Sequence, residues 1–338
     1  MTTTLDSQQL VAALKAAAEP TRLRILALVA VGELNVKDLT LILGQSQPRI
    51  SRHLKLLSEA GLVERFREGS WVYFHLSERT AGGRLALELL AYAGDGDPVL
   101  RRDRERAEAV KREREASAQA YFDAHAADWD RIRSLHVAEA EVEAAMRAAL
   151  GPGPFGLLVD AGTGTGRMLE LLADRYAQGI GFDLNQAMLA YARAKLARAG
   201  IGKAQVRHGD LYGLPLADGS VDALVMHQVL HYLSDPQRAV HEAVRVLAPG
   251  GRLLIVDFAP HQLEFLRSEH AHERLGFAGP MVTQWLKEAG LDSVDTVSLP
   301  AAGEGERLTV TLWIARQRPA KPAGRDHSRR QALEGAQP

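Results

Sequence analysis

The stretch that most constrains this chain lies in its middle. A compact apolar run, Phe155 to Asp160 (FGLLVD), passes at once into AGTGTG and then into RMLELLADRY, which reads as a helix. A strand that turns on glycines straight into a helix lets backbone approach a bound molecule closely and presents N–H groups at the positive helix end. A second strand, GIGFDL, closes on Asp183 with Leu184 beside it. An acidic side chain at that place can accept hydrogen bonds from ribose hydroxyls. From Tyr121 to Gln317, β-branched runs alternate with helical patterns, the signature of a parallel α/β sheet.

That unit leaves room for another. At ~150 residues per domain, 338 residues imply two domains. Apolar residues make up 46% and charged residues 25%, an ordinary globular composition. The 41 basic and 42 acidic residues nearly cancel, which excludes a grip on nucleic acid through a general positive field but not through a local patch. There is no cysteine, so disulfides, thiolate metal sites and thiol nucleophiles are excluded together. The N-terminus, MTTTLDSQQL, lacks the basic and apolar regions of a signal peptide. The apolar run Ile25 to Val31 is far shorter than the ~18 residues of a membrane span. The expected compartment is the cytoplasm, with no membrane partner.

Residues 1–93 read as short helices ending in a hairpin. Glu19 and Pro20 punctuate a first helix, and Leu23, Leu26 and Ala27 recur at helical spacing after it. In NVKDLTLILGQSQPRISRHLKLLSEAGLVERF, Asn35 is a plausible N-cap, Gly44 a C-terminal stop and Ser46 a second cap, with Pro48 in the first turn that follows. This is helix, tight turn, helix. In the second of these helices Ile50, Leu54 and Leu57 share one face. Arg49, Ser51, Arg52 and Lys55 point the other way, flanked by Gln47 and His53. Cations and small polar groups on such a face suit phosphates and base edges, while the leucines hold the core. GLVERFREGSWVYFHL then alternates on period two around Glu68-Gly69, a hairpin turn that puts Arg65 and Arg67 on its first strand.

The ordered set EPTRLRIL, SQPRISRHLKLLSEAGLV and REGSWVYFHL resembles the ArsR family of winged helix-turn-helix regulators across residues 8 to 80. The resemblance implies a mostly α-helical DNA-binding domain, a homodimer, and recognition helices in successive major grooves of double-stranded operator DNA. Ser46, Gln47, Arg49, Ser51, Arg52, His53, Lys55, Arg65 and Arg67 are the DNA-binding residues it suggests. One departure matters. Metal-sensing members carry two cysteines in a pattern like ELCVCDL, where this chain reads ELNVKDL with Asn35 and Lys37. Neither an amide nor an ammonium replaces a thiolate for a soft metal. A second site known in the family uses Asp and His on the last helix, and residues 80 to 93 contain neither. No metal site is expected, and His75 reads as a packing or exposed histidine.

The glycine turn departs from the dinucleotide fingerprint, since G-x-G-x-x-G would place its third glycine at Arg167 and here it falls at Gly166. GxGxG after a strand ending in Asp is the form seen in S-adenosylmethionine-dependent methyltransferases. Asp210 follows a third strand, Ala223 to Met226 form a fourth before His227-Gln228, and VLAPGGRLLIVDF gives a fifth. VDTVSLP and RLTVTLWIARQ close the domain as an antiparallel hairpin. From Tyr121 the chain resembles class I, UbiE-like methyltransferases, which implies a Rossmann-like α/β fold with a mostly parallel seven-stranded sheet. It also implies S-adenosylmethionine, or its product S-adenosylhomocysteine, held by Asp160, Gly162, Gly164, Gly166, Asp183, Leu184, Asp210, Leu211 and His227. His227 and His231 flank the reaction mouth, and either can serve as a base or simply line the pocket. Relatives place a helix like YFDAHAADWDRIRSLH as a lid, with Tyr121, Phe122 and Trp129 as its aromatics.

The expected organisation is 1–93 DNA-binding, 94–120 a charged helical linker, 121–318 methyltransferase, and 319–338 a disordered tail. The linker opens on GDGDP and runs RRDRERAEAVKRERE, whose seven basic and five acidic residues suggest a solvated spacer. The leading expectation is a regulator that senses S-adenosylmethionine or S-adenosylhomocysteine instead of a metal. The alternative is a working small-molecule methyltransferase whose N-terminal domain controls its own operon. Arsenite methylation requires thiolates and is excluded. DNA methylation is disfavoured, because the fourth strand runs into MHQVLHY where a D/N/S-P-P-Y/F motif belongs.

Overall fold

The computed structural model describes residues 4–68, 71–77, 80–93, 96–134, 139–291, 293–300 and 308–319. The turn at Gly69 and nearly all of the tail lie outside them. The N-terminal domain is built from α1 (Ser7–Ala17), α2 (Pro20–Val29), β1 (Leu34–Asn35), α3 (Val36–Leu43) and α4 (Gln47–Glu59), followed by β2 (Glu64–Glu68), β3 (Trp71–His75) and α5 (Ala81–Ala93). Local chemistry sets the boundaries. The Asn35 side chain accepts the Asp38 N–H at 3.0 Å while the Asp38 carboxylate accepts the Asn35 N–H at 3.2 Å, a reciprocal cap. Gly44 ends α3 at φ +63°, a conformation nearly free of penalty only for glycine. Ser46 occupies the N-cap of α4, but its side chain caps nothing. Ile50, Leu54 and Leu57 are buried against α2, α3 and the wing. Strand order β1-β3-β2 ties the wing back to the start of α3.

The charged segment keeps most of its described residues exposed, as a solvated helix does, but docks one face on the N-terminal domain. It forms α6 (Pro98–His125), a single helix of 28 residues that runs through position 120 without a break. Asp97 caps it by accepting the N–H groups of Val99 and Leu100. Asp103 is buried and paired with both arms of Arg24 on α2, at 2.5 and 2.7 Å. Arg106 donates to the Ile42 carbonyl at 3.1 Å, and Ala107 and Val110 pack on the N-terminal core. Two small apolar groups and one buried bidentate pair therefore dock a helix whose composition reads as solvent-facing.

The C-terminal domain continues with α7 (Trp129–Ser134), α8 (Glu139–Leu150), β4 (Phe155–Ala161), α9 (Arg167–Leu171), β5 (Tyr176–Asp183), α10 (Gln186–Arg198), β6 (Ala204–His208) and β7 (Val221–His227). It ends with α11 (Pro236–Val246), β8 (Leu247–Phe258), α12 (Phe265–Glu269), α13 (Gly279–Glu288), β9 (Val294–Leu299) and β10 (Val310–Arg316). The sheet order is β6-β5-β4-β7-β8-β10-β9, with only β10 antiparallel to its neighbours. Alternate residues of each strand enter separate cores: Val159, Leu224 and Ile255 one, Leu158, Val225 and Leu254 the other. That is the period-two signature of a sheet covered on both faces. The helix after the glycine turn is shorter than RMLELLADRY suggests, because Tyr176 already belongs to β5. No helix among the described residues is long and apolar enough to cross a membrane.

Candidate functional site

Strand order reverses between β4 and β7, and the carboxyl ends of the strands there open on a cavity of about 1100 Å³, mouth included. Open α/β sheets bind ligands at such a switch point. Asp160, Gly162 and Gly164 line it at the end of β4 and in the turn that follows, Asp183 and Leu184 at the end of β5, Asp210 and Leu211 beyond β6, and His227 at the end of β7 on the other side of β4. Gly162 holds φ +81°, and a Cβ there would lie 2.4 Å from Val229. Gly164, at φ +51°, donates its N–H to Asp183 Oδ2 at 2.8 Å. Gly166 stands apart from the lining and supplies the left-handed N-cap of α9. Asp183 also accepts the Asn185 N–H at 2.8 Å. Burial raises its carboxyl above the ordinary range, and the backbone donors oppose that only in part. The Asp160 carboxylate accepts the Thr163 hydroxyl at 2.6 Å.

The roof comes from α6 and α7. Ala118, Gln119 and Phe122 of α6 and Trp129 of α7 close over the floor. Phe122 meets Trp129 edge-on at 5.3 Å and Tyr232 at 4.9 Å. Asn185 donates to Gln119 and Asp123, pinning α6 to the start of α10. Tyr121 leaves this group, its hydroxyl lying 2.8 Å from His270 Nδ1.

The two candidate histidines part company. His227, the last residue of β7, lines the cofactor-sized cavity. His231 is buried in a turn beyond it and lines a second cavity that shares Trp129, Gln228 and Tyr232 with the first. Its Nδ1 lies 2.8 Å from the Asp257 carboxylate. Asp257 was not foreseen, although it is the one charged residue in the apolar run LLIVDF. Gln228, also unforeseen, takes φ +49° between His227 and the turn, strain of a kind that gathers at ligand sites.

On the N-terminal domain, Gln47, Arg49, Ser51, Arg52 and Lys55 are exposed along α4, as are Ser46 before it and Arg65 and Arg67 on β2. His53 departs from that face. It packs 3.6 Å from Glu19, and burial holds its ring below the usual histidine range.

Between the domains, Arg114 of α6 bridges Asp38 of α3 and Glu273, the latter at 2.6 Å. The N–H groups of Glu273 and Arg274 donate to the His231 carbonyl at 2.9 and 3.0 Å. Arg274 reaches Glu33 at 2.6 Å and stacks over Tyr73, while Arg267 stacks over Trp71 at 4.0 Å. The wing and the helix-turn-helix thus rest on α12 and the loop after it, whose N–H groups hold the carbonyl of His231.

These features define a winged helix-turn-helix joined to a Rossmann-like methyltransferase fold. The comparisons with known proteins agree, with residues 19–65 matching the bacterial regulatory proteins of the arsR family and residues 159–255 a methyltransferase domain. Residues 19–65 thus carry an arsR-type helix-turn-helix and residues 159–255 a class I methyltransferase domain. It is 35% identical over 147 residues, 42% of this chain and 54% of the relative, to a Mycolicibacterium smegmatis protein named "Probable S-adenosylmethionine-dependent methyltransferase". It is 28% identical to a Clavibacter sepedonicus demethylmenaquinone methyltransferase, over 63% of this chain and 94% of that one. It is also 28% identical to an Aquipseudomonas alcaligenes arsenite methyltransferase, over 54% and 60%. The chain spans about half the length of the first of these. A chain from the Haloferax volcanii complex of the Trm112 methyltransferase activator with a methyltransferase shares the fold at TM-score 0.50 and 22% identity, over 58% of this chain and 97% of that one.

Proposed function

We propose that the protein is a transcriptional regulator that reads double-stranded operator DNA as a homodimer, with the occupancy of its methyltransferase cleft by S-adenosylmethionine or S-adenosylhomocysteine setting its grip on DNA. The observation that carries this reading is α6, which packs on the helix-turn-helix through Asp103 and Arg106 and roofs the cleft with Ala118, Gln119 and Phe122. The cleft fits the ligand. Gly162 and Gly164 keep side chains out of the floor, Asp183 offers a carboxylate to a ribose, and Asp210 with Leu211 faces an adenine. When bound, S-adenosylmethionine supplies an electrophilic methyl group. Phe122, Trp129 and Tyr232 exclude water around it. A second copy of the chain suits the exposed Leu10, Val11 and Leu14 of α1 and Tyr92 of α5.

Fluorescence anisotropy of the full chain on its own promoter DNA, with and without each ligand, tests the reading. One of the two ligands is expected to shift operator affinity about 5-fold or more, with a reciprocal effect of DNA on ligand binding. Gly164→Asp should abolish the shift and leave basal DNA binding in place. If both ligands bind and operator affinity stays constant, the two domains are energetically independent and the sensing role is wrong, since a ligand without preference between states shifts nothing.

A second reading, turnover of a small-molecule acceptor, is favoured by one observation: a second cavity, lined by His231, adjoins the cofactor-sized one and shares Trp129, Gln228 and Tyr232 with it. Arsenite is a poor acceptor candidate, for the sequence has no cysteine to hold it.

A further inference from the structure

The cavity that shares Tyr232 with the first is lined mostly by aromatic and apolar side chains. Trp129, Tyr232 and Phe258 supply aromatic faces, and Leu266 and Leu308 complete an apolar wall. None of the described residues lining it is Asp, Glu, Lys or Arg. Its polar groups are Gln228, the Tyr232 hydroxyl and three imidazoles, those of His231, His270 and His272. Placing a permanent charge within such walls costs several kcal/mol unless a partner meets it. A planar, uncharged ring stacks well there.

The imidazoles differ in what they can do. Asp257 is fully buried and holds His231 Nδ1 at 2.8 Å, while the N–H groups of His231 and Phe258 donate to the same carboxylate at 3.3 and 2.7 Å. A carboxylate so fixed selects the tautomer with the proton on Nδ1, which leaves the Nε2 lone pair for the cavity and stabilises the ring once it takes a proton. The rings of His231 and His272 lie 4.2 Å apart, and His272 Nδ1 is buried with no hydrogen-bond partner among the described residues. Burial pushes His272 well below the ordinary histidine range. A buried neutral imidazole with a vacant nitrogen is a position for a hydroxyl group of a ligand.

We infer that this second cavity is the acceptor subsite, that it takes a neutral aromatic compound bearing a hydroxyl group, and that His231 with Asp257 removes the hydroxyl proton. The inference rests on the cofactor reading of the first cavity and adds to it an acceptor class. In the proton step the O–H bond breaks toward His231 Nε2. The electron pair stays on oxygen, which becomes the nucleophile, and the imidazolium formed is held against Asp257. Asp257 never touches the acceptor and is a positioning residue.

4-Nitrophenol is a suitable probe, because its ionised form has its own visible absorption band. The full chain, saturated with S-adenosylhomocysteine as verified by calorimetry, is titrated with 4-nitrophenol below the pH at which the free phenol ionises. Saturable binding with growth of the phenolate band is expected. His231→Gln should keep binding within a few-fold and lose the band. Asp257→Asn, which reverses the tautomer, should weaken the band at least about tenfold. Leu308→Trp, which fills the cavity without touching the dyad, should abolish phenol binding and leave S-adenosylhomocysteine affinity as it was. Benzylammonium, cationic at the same pH, should bind about tenfold or more weakly than the phenol. If S-adenosylhomocysteine binds but 4-nitrophenol does not, the acceptor subsite is wrong and the cofactor reading stands. If S-adenosylhomocysteine itself fails to bind, the cofactor reading falls and takes the inference with it. A phenolate band that persists in a folded His231→Gln protein removes His231 as the base, and equal binding of benzylammonium removes the neutral class.

Discussion

α4 and α6 are both rich in cations, and the sequence presents them alike as charged, water-facing helices. The structure uses them in opposite ways. On α4, Arg49 and Arg52 are exposed and form no ion pair among the described residues, so their charge is available to a phosphate backbone. On α6, Arg114 is held by Asp38 and Glu273, and Asp103 is sunk against Arg24. The lesson is physical. A solvated charge keeps its hydration until a ligand replaces it, whereas a desolvated charge must bring its partner with it. Density of charge in a sequence says nothing of which case applies; the partner, 79 residues away for Arg24 and Asp103, decides.

The contrast can be broken most heavily at Asp103. Asp103→Ala leaves the Arg24 guanidinium half-buried without its carboxylate. Loss of one partner of a buried pair costs ~3–5 kcal/mol, and the partial exposure of Arg24 puts the expected loss near the lower figure, read from the denaturant midpoint. A midpoint that stays put would return α6 to the class of solvated linkers. At Arg52 the expected effect is on binding. Arg52→Ala should lower operator affinity by about tenfold, within the ~1–3 kcal/mol of a side chain that contacts a base, and leave S-adenosylhomocysteine affinity alone. Equal operator affinity would move the recognition surface off this face of α4. The smallest effect is expected at Arg114. Arg114→Ala should leave both ligands bound within about twofold, while the shift that one exerts on the other shrinks by ~0.5–2 kcal/mol of coupling. An undiminished shift would send the coupling through Tyr73, Trp71 and their arginines instead.

What the sequence revealed was what neighbouring residues decide. Asn35, Gly44 and Pro48 mark the helix-turn-helix because caps and turns act within four residues, and the glycine turn after Asp160 is legible for the same reason. Placement across the fold was not legible. His53 flanks the cationic face by spacing and reads as one of its DNA-contacting residues, yet packs against Glu19, the N-cap of α2. Ser46 has the right type and position for a cap and makes no cap bond. Between the two histidines, spacing gave no preference; the burial of His231 against Asp257, 26 residues away, separates it from His227. A lone acid inside LLIVDF is the signal that would have found that pair, since an unpartnered carboxylate does not survive in a core strand.

The continuity of α6 also bears on how such a protein can be cut or inherited. Ala107 and Val110 belong to the N-terminal core, and Phe122, fifteen residues after Ala107, belongs to the ligand roof. Proteolysis after residue 93 would strip the DNA-binding half of part of its own interior, and proteolysis near residue 120 would strip the other half of its lid. A gene that shed its methyltransferase half would have to keep most of this helix, so the two halves are less exchangeable modules than tenants of one beam.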